Sequence, residues 1–109
     1  MIQPTASFKE NLQLLPSIDG LARIELTDSN GTIVASIENQ AGKQGSLAVY
    51  KYLGQNFDAV DAIAAAHGLA VFAEHTADAK KRPGAHPNID LLLDVIGGGS
   101  SLGVRLVAI

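Results

Sequence analysis

The 109-residue chain has no cysteine, no tryptophan, and only three phenylalanines and two tyrosines. Without cysteine there is neither a disulfide framework nor a thiolate metal site. No apolar run approaches the roughly 20 residues that span a bilayer. The opening Met1–Ser7 lacks the basic-then-apolar pattern of a signal peptide. A cytoplasmic protein with no membrane partner is expected. A basic excess is missing too: 8 Lys and Arg stand against 11 Asp and Glu, for a net charge of −3. Nucleic acid is therefore not an expected partner, since phosphate neutralisation calls for a basic face. The short Lys80-Lys81-Arg82 run does not change that balance.

What is present is enough apolar material for one core. Hydrophobic residues make up 47% of the chain, and no repeat, linker or low-complexity tract divides it. Residues 1–109 read as a single domain. With so few aromatics, aliphatic side chains and alanine must fill its interior.

Ser7-Phe8-Lys9-Glu10 has capping-box spacing, and the helix it opens places Phe8, Leu12 and Leu15 on one face before Pro16 stops it. Ala22, Ile24 and Leu26 alternate with Arg23, Glu25 and Thr27, and Ile33, Ala35 and Ile37 with Thr32, Val34, Ser36 and Glu38. Asn30-Gly31 between them predicts a two-residue hairpin turn, with Leu26 opposite Ala35 and Ile24 opposite Ile37. Ser46 is placed to cap a helix carrying Leu47, Tyr50, Leu53 and Phe57. Asp58 would open an alanine-rich helix with Val60, Ile63, Ala64 and His67 on one face, stopped at Gly68. Leu69–Glu74 reads as a short buried strand, although periodicity alone does not separate it from helix. Thr76 and Asn88 read as further helix caps, and Leu102–Ile109 as a closing strand. The fold class is α+β: a small mixed sheet, N-terminal hairpin plus C-terminal strands, with helices on one face. If strands 69–74 and 102–108 were parallel neighbours, the helix between them would be a right-handed crossover.

Ionisable groups concentrate between Glu74 and Asp90, where two of the three histidines and two of the four prolines lie. On the strand reading, Glu74 and His75 fall at a strand's carboxyl end, where α/β folds place ligands. A carboxylate beside an imidazole suits general acid–base work, so Glu74, His75, Asp78 and His86 are the catalytic candidates. The bland alternative makes both histidines exposed loop residues. Their spacing matches no compact metal motif, and neither metal nor cofactor is expected. A second candidate precedes the Ser46 helix. Gly42-Lys43-Gln44-Gly45-Ser46 combines glycines, a lysine, a hydroxyl and a helix start with no carboxylate in its first turn, which suits an anion. Lys43, Gly45, Ser46 and Arg82 are the ligand-binding candidates; the alternative is a flexible hairpin exit followed by an ordinary serine cap. His67 fits a helix's last turn, and Arg105 fits an edge strand facing solvent.

Gly45-Ser46-Leu47-Ala48-Val49-Tyr50, Phe72-Ala73-Glu74-His75-Thr76 and His86-Pro87-Asn88-Ile89-Asp90 together resemble a family of small bacterial proteins, an uncharacterised domain of about this length. The resemblance runs from Phe8 to Val107. It implies a bacterial, cytoplasmic origin and supplies no catalyst. The residues leave three functions in view. The first is a non-catalytic module for a small anionic metabolite or a protein partner. The second is a small acid–base or hydrolytic enzyme using His75 or His86 with Glu74 or Asp78. The third is a homo-oligomer without a ligand.

Overall fold

Ser7 starts the first helix as its spacing to Glu10 predicts. In the computed structural model, which describes residues 1–109, its hydroxyl accepts the Glu10 amide and α1 (Phe8–Leu12) follows. Only half of the capping box forms, because the Glu10 carboxylate accepts from the Thr5 hydroxyl instead of reaching back to Ser7. α1 is also shorter than expected and loosens into turns after Leu12.

The hairpin pairs β1 (Leu21–Thr27) with β2 (Ile33–Glu38) in the expected register, Leu26 opposite Ala35 and Ile24 opposite Ile37. Ile24, Leu26 and Ile37 are buried on one face. The turn is wider than a two-residue loop. The Asp28 carboxylate accepts the amides of Asn30 and Thr32, and Gly31 alone takes positive φ, at +82°. A register shift after Leu26 absorbs the difference, so the core row is kept.

β1 is the central strand. β3 (Gly103–Ala108) pairs antiparallel on its other side, giving the order β2-β1-β3. The expected mixed sheet is therefore corrected to an antiparallel one, and the parallel crossover does not exist. The four remaining helices are α2 (Gln44–Asn56), α3 (Ala62–Phe72), α4 (Glu74–Lys81) and α5 (Pro87–Ile96). α2 packs on all three strands, and α3 packs on α2 and α5. No helix is long and apolar enough to cross a membrane.

Residues 69–72 continue α3 and Glu74 opens α4, so the expected strand is absent, and Gly68 explains the difference. A Cβ there would stand 2.9 Å from methyl carbons of Leu53 on α2 and Leu92 on α5. This glycine permits close helix packing rather than ending a helix, and α3 runs on to Phe72. The break comes at Ala73, the only non-glycine residue with positive φ (53°). Thr76 does not cap α4; its hydroxyl donates to the Leu69 carbonyl at the end of α3. Asp61, not Asp58, caps α3, because Val60 is drawn into a two-bond bridge with Leu102. Neither Ser46 nor Asn88 is a cap: α2 begins at Gln44 and α5 at Pro87, each without a side-chain cap.

Two polar residues are buried. Glu25 lies on the sheet face away from Ile24 and Leu26, 5% exposed, flanked by Arg23 at 3.1 Å and Arg105 at 2.7 Å. Arg105 is exposed on an edge strand, as the sequence suggests, yet its charge faces this carboxylate. Asn11 is fully buried. Its amide nitrogen donates to the carbonyls of Thr5 and Val71, and its oxygen accepts the Thr5 amide. One side chain thus ties α1 and the N-terminal segment to α3. Asn11→Ala should strand these groups away from water and cost about 2–4 kcal/mol. Urea denaturation of the two proteins checks this; a loss below about 1 kcal/mol would mean that water replaces the lost bonds.

Candidate functional site

The two segments singled out in the sequence line one cleft of about 720 Å³. One wall is the start of α2, Gly42 to Ser46. The facing wall is His75 on α4 with Ala85 to Ile89 at the start of α5, and Phe8, Leu12 and Phe72 form an apolar floor. Phe8 and Phe72 stack with ring centroids 5.5 Å apart. His75 meets Phe8 edge-on at 5.2 Å, and its ring lies 5.7 Å from that of His86.

Both long walls begin with helix ends that have no cap. Lys43 holds the cap position of α2 without a side-chain bond, and no acidic residue enters the first turn. The amides of Gln44, Gly45 and Ser46 have no protein acceptor. Across the cleft, Pro87 brings no N–H to the first turn of α5, and the Asn88 amide has no protein acceptor. Tyr50 joins the two walls. Its buried hydroxyl donates to the Asn88 carbonyl at 2.6 Å, and burial raises its pKa well above the usual phenol value. This strut was hidden in the sequence, where Tyr50 reads as one position of an apolar stripe. The available signal is that a buried tyrosine hydroxyl needs a partner.

Of the four catalytic candidates, Glu74 parts from the other three. Glu74 does not pair with His75; its carboxylate accepts the Phe8 amide at 2.7 Å and so anchors α1 to α4. Asp78 bonds His86, with 2.6 Å between Oδ2 and Nε2. Arg82 grips the same carboxylate with two nitrogens, its Nε 3.0 Å from Oδ1. Arg82 is thereby bound to Asp78 and does not line the cleft. The Asp78 carboxyl is held below its ordinary value of 3.8, first by the Arg82 hydrogen bond, then by that from His86. The loop carrying His86 is itself tied down, since the Gly84 amide donates to Asp90 at 2.9 Å. No three histidine or carboxylate side chains converge on a point that could hold a metal ion.

His67 is not in a last turn, because α3 continues beyond it. It sits 2.6 Å from the Tyr52 hydroxyl, which also accepts the Ile2 amide. Burial, and then the N-terminal charge, lower its pKa. It lies outside the cleft.

The Asp78 shift has a definite sign in stability. The folded-state pKa lies below the unfolded value, so the stabilisation is present above pH 3.8 and is lost as pH falls below it. Asp78→Asn should remove that part of the acid limb. Thermal melts of both proteins from pH 5 to about 2 measure it, and superimposable limbs would show that the Arg82–Asp78–His86 contacts do not persist in solution.

The family model described as "Uncharacterized protein conserved in bacteria (DUF2322)" matches residues 8–106. No curated protein and no solved structure matches the chain.

Proposed function

The chain belongs to this bacterial family of uncharacterised conserved proteins, whose description carries no activity, and from the site itself we propose a domain that binds a small anionic metabolite. One observation carries the reading: the uncapped starts of α2 and α5 open onto the same cleft. Helix starts present unpaired amides and positive dipole ends, and an anion satisfies both. Lys43 adds a full charge, and two imidazoles stand on the opposite wall. The apolar floor of Phe8, Leu12 and Phe72 suits a carbon skeleton attached to the anionic group. The cleft volume falls within the roughly 300–1,000 Å³ usual for small-molecule sites, which favours a metabolite over a protein partner.

Inorganic phosphate is the simplest probe. Titration followed by amide NMR should move Gly45, Ser46 and Asn88 together, and added salt should weaken the response. Lys43→Ala should reduce phosphate affinity by roughly two- to fivefold, the scale of one exposed charge contact. Its melting point without phosphate should stay within the small range of surface substitutions. Shifts scattered over the surface, or none, would reject the site.

A further inference from the structure

We propose that the same cleft hydrolyses a carboxylic ester bearing an anionic group, with His86 as general base and Asp78 as the residue that positions it. The proposal rests on the anion-binding reading and adds a reaction to it. His86 is the cleft histidine with a carboxylate partner. Asp78, held ionised by Arg82, accepts from Nε2, so Nε2 carries the proton and the lone pair falls on Nδ1. Nδ1 makes no hydrogen bond with the protein and is the nitrogen left for a substrate. The ring is three-quarters buried, at 26% side-chain exposure, and its backbone stands between Pro87 and a loop bound by Asp90. A fixed tautomer and an unpartnered nitrogen on a ring that lines a cleft are what proton abstraction from water requires. His75 has the cleft position but no carboxylate to orient it.

The reaction balances without a further reagent. His86 Nδ1 takes a proton from water while the water oxygen bonds to the ester carbonyl carbon, and the carbonyl pair moves onto its oxygen. The tetrahedral oxyanion collapses, the bond to the alcohol oxygen breaks, and that oxygen takes the proton from His86. Ester and water become acid and alcohol. The amides of Gln44 to Ser46 and Lys43 hold the substrate's anionic group. The Asn88 amide, two residues beyond His86, is the unpaired donor for the developing oxyanion. A carboxylic ester fits better than a phosphate ester, because phosphoryl transfer leans on a cluster of cations and this cleft supplies Lys43 alone.

The test compares the 4-nitrophenyl half-ester of succinic acid with uncharged 4-nitrophenyl acetate, alongside phosphate titrations of each protein. Wild type should hydrolyse the half-ester faster than buffer and in preference to the acetate, and phosphate should compete. His86→Gln should lose on the order of a hundredfold, while His67→Gln, outside the cleft, keeps most of the rate. Asp78→Asn should lower kcat and leave KM for the half-ester nearly unchanged, since the imidazole loses the group that orients it while the contacts to the anionic group remain. A His86→Gln protein that matches wild type while keeping its phosphate-induced shifts at Gly45 and Asn88 overturns the hydrolytic proposal and leaves the anion site standing. Wild type without those shifts is the separate failure of the anion reading.

Discussion

The missing side chain at Gly68 sets how closely three helices can meet, and the cleft inherits its shape from that contact. α3 touches Leu53 of α2 on one side and Leu92 of α5 on the other, both fully buried. Glycine in a helix interior gives up about 1 kcal/mol of propensity relative to alanine. Here the packing of two leucines against bare backbone offsets that loss. With α3 as spacer, the first turns of α2 and α5 come to face each other, and Tyr50 fixes their separation through Asn88. Helix order alone would not bring these two starts together.

The sequence revealed the sheet better than the helix ends. The β1–β2 register was legible because a slip of one residue would have exposed Ile24, Leu26 and Ile37 together. That register survived a turn wider than the one read, since Asp28 and the shift after Leu26 absorbed the change. Helix boundaries failed where a residue had two local meanings. Gly68 suits a stop as well as a close approach, and Ser46 and Asn88 suit a first turn as well as a cap. Only the tertiary neighbours decide between these. The polar stretch from 74 to 90 and the Gly42–Ser46 loop were both recognised, but as separate places. Their union in one cleft depends on packing more than 25 residues apart in sequence, which no local pattern encodes.

Ala73 shows how the polar segment is held in place. Positive φ at a residue with a side chain costs on the order of 1–3 kcal/mol and persists only where the surroundings impose it. Phe72 before it is stacked on Phe8, and Glu74 after it grips the Phe8 amide. Thr76 closes the end of α3 from the next turn. The chain is thereby turned sharply between α3 and α4, which brings His75 to the apolar floor and sends Asp78 and Arg82 along the outer side.

The charge around the cleft then takes on a meaning that composition hides. The chain is acidic overall, and Glu74, Asp78 and Asp90 all belong to the segment that forms one wall. Each of these carboxylates is taken by a protein donor: Glu74 by the Phe8 amide, Asp78 by Arg82 and His86, and Asp90 by the Gly84 amide. The groups left without protein partners include the amides of Gln44 to Ser46, the Asn88 amide, Lys43 and the His75 ring. The amides and Lys43 are donors. An acidic protein has thus arranged one concave surface whose unmet hydrogen-bonding capacity calls for an acceptor. No carboxylate lines the cleft to receive a cation, whereas an anion would complete bonds that the fold leaves open.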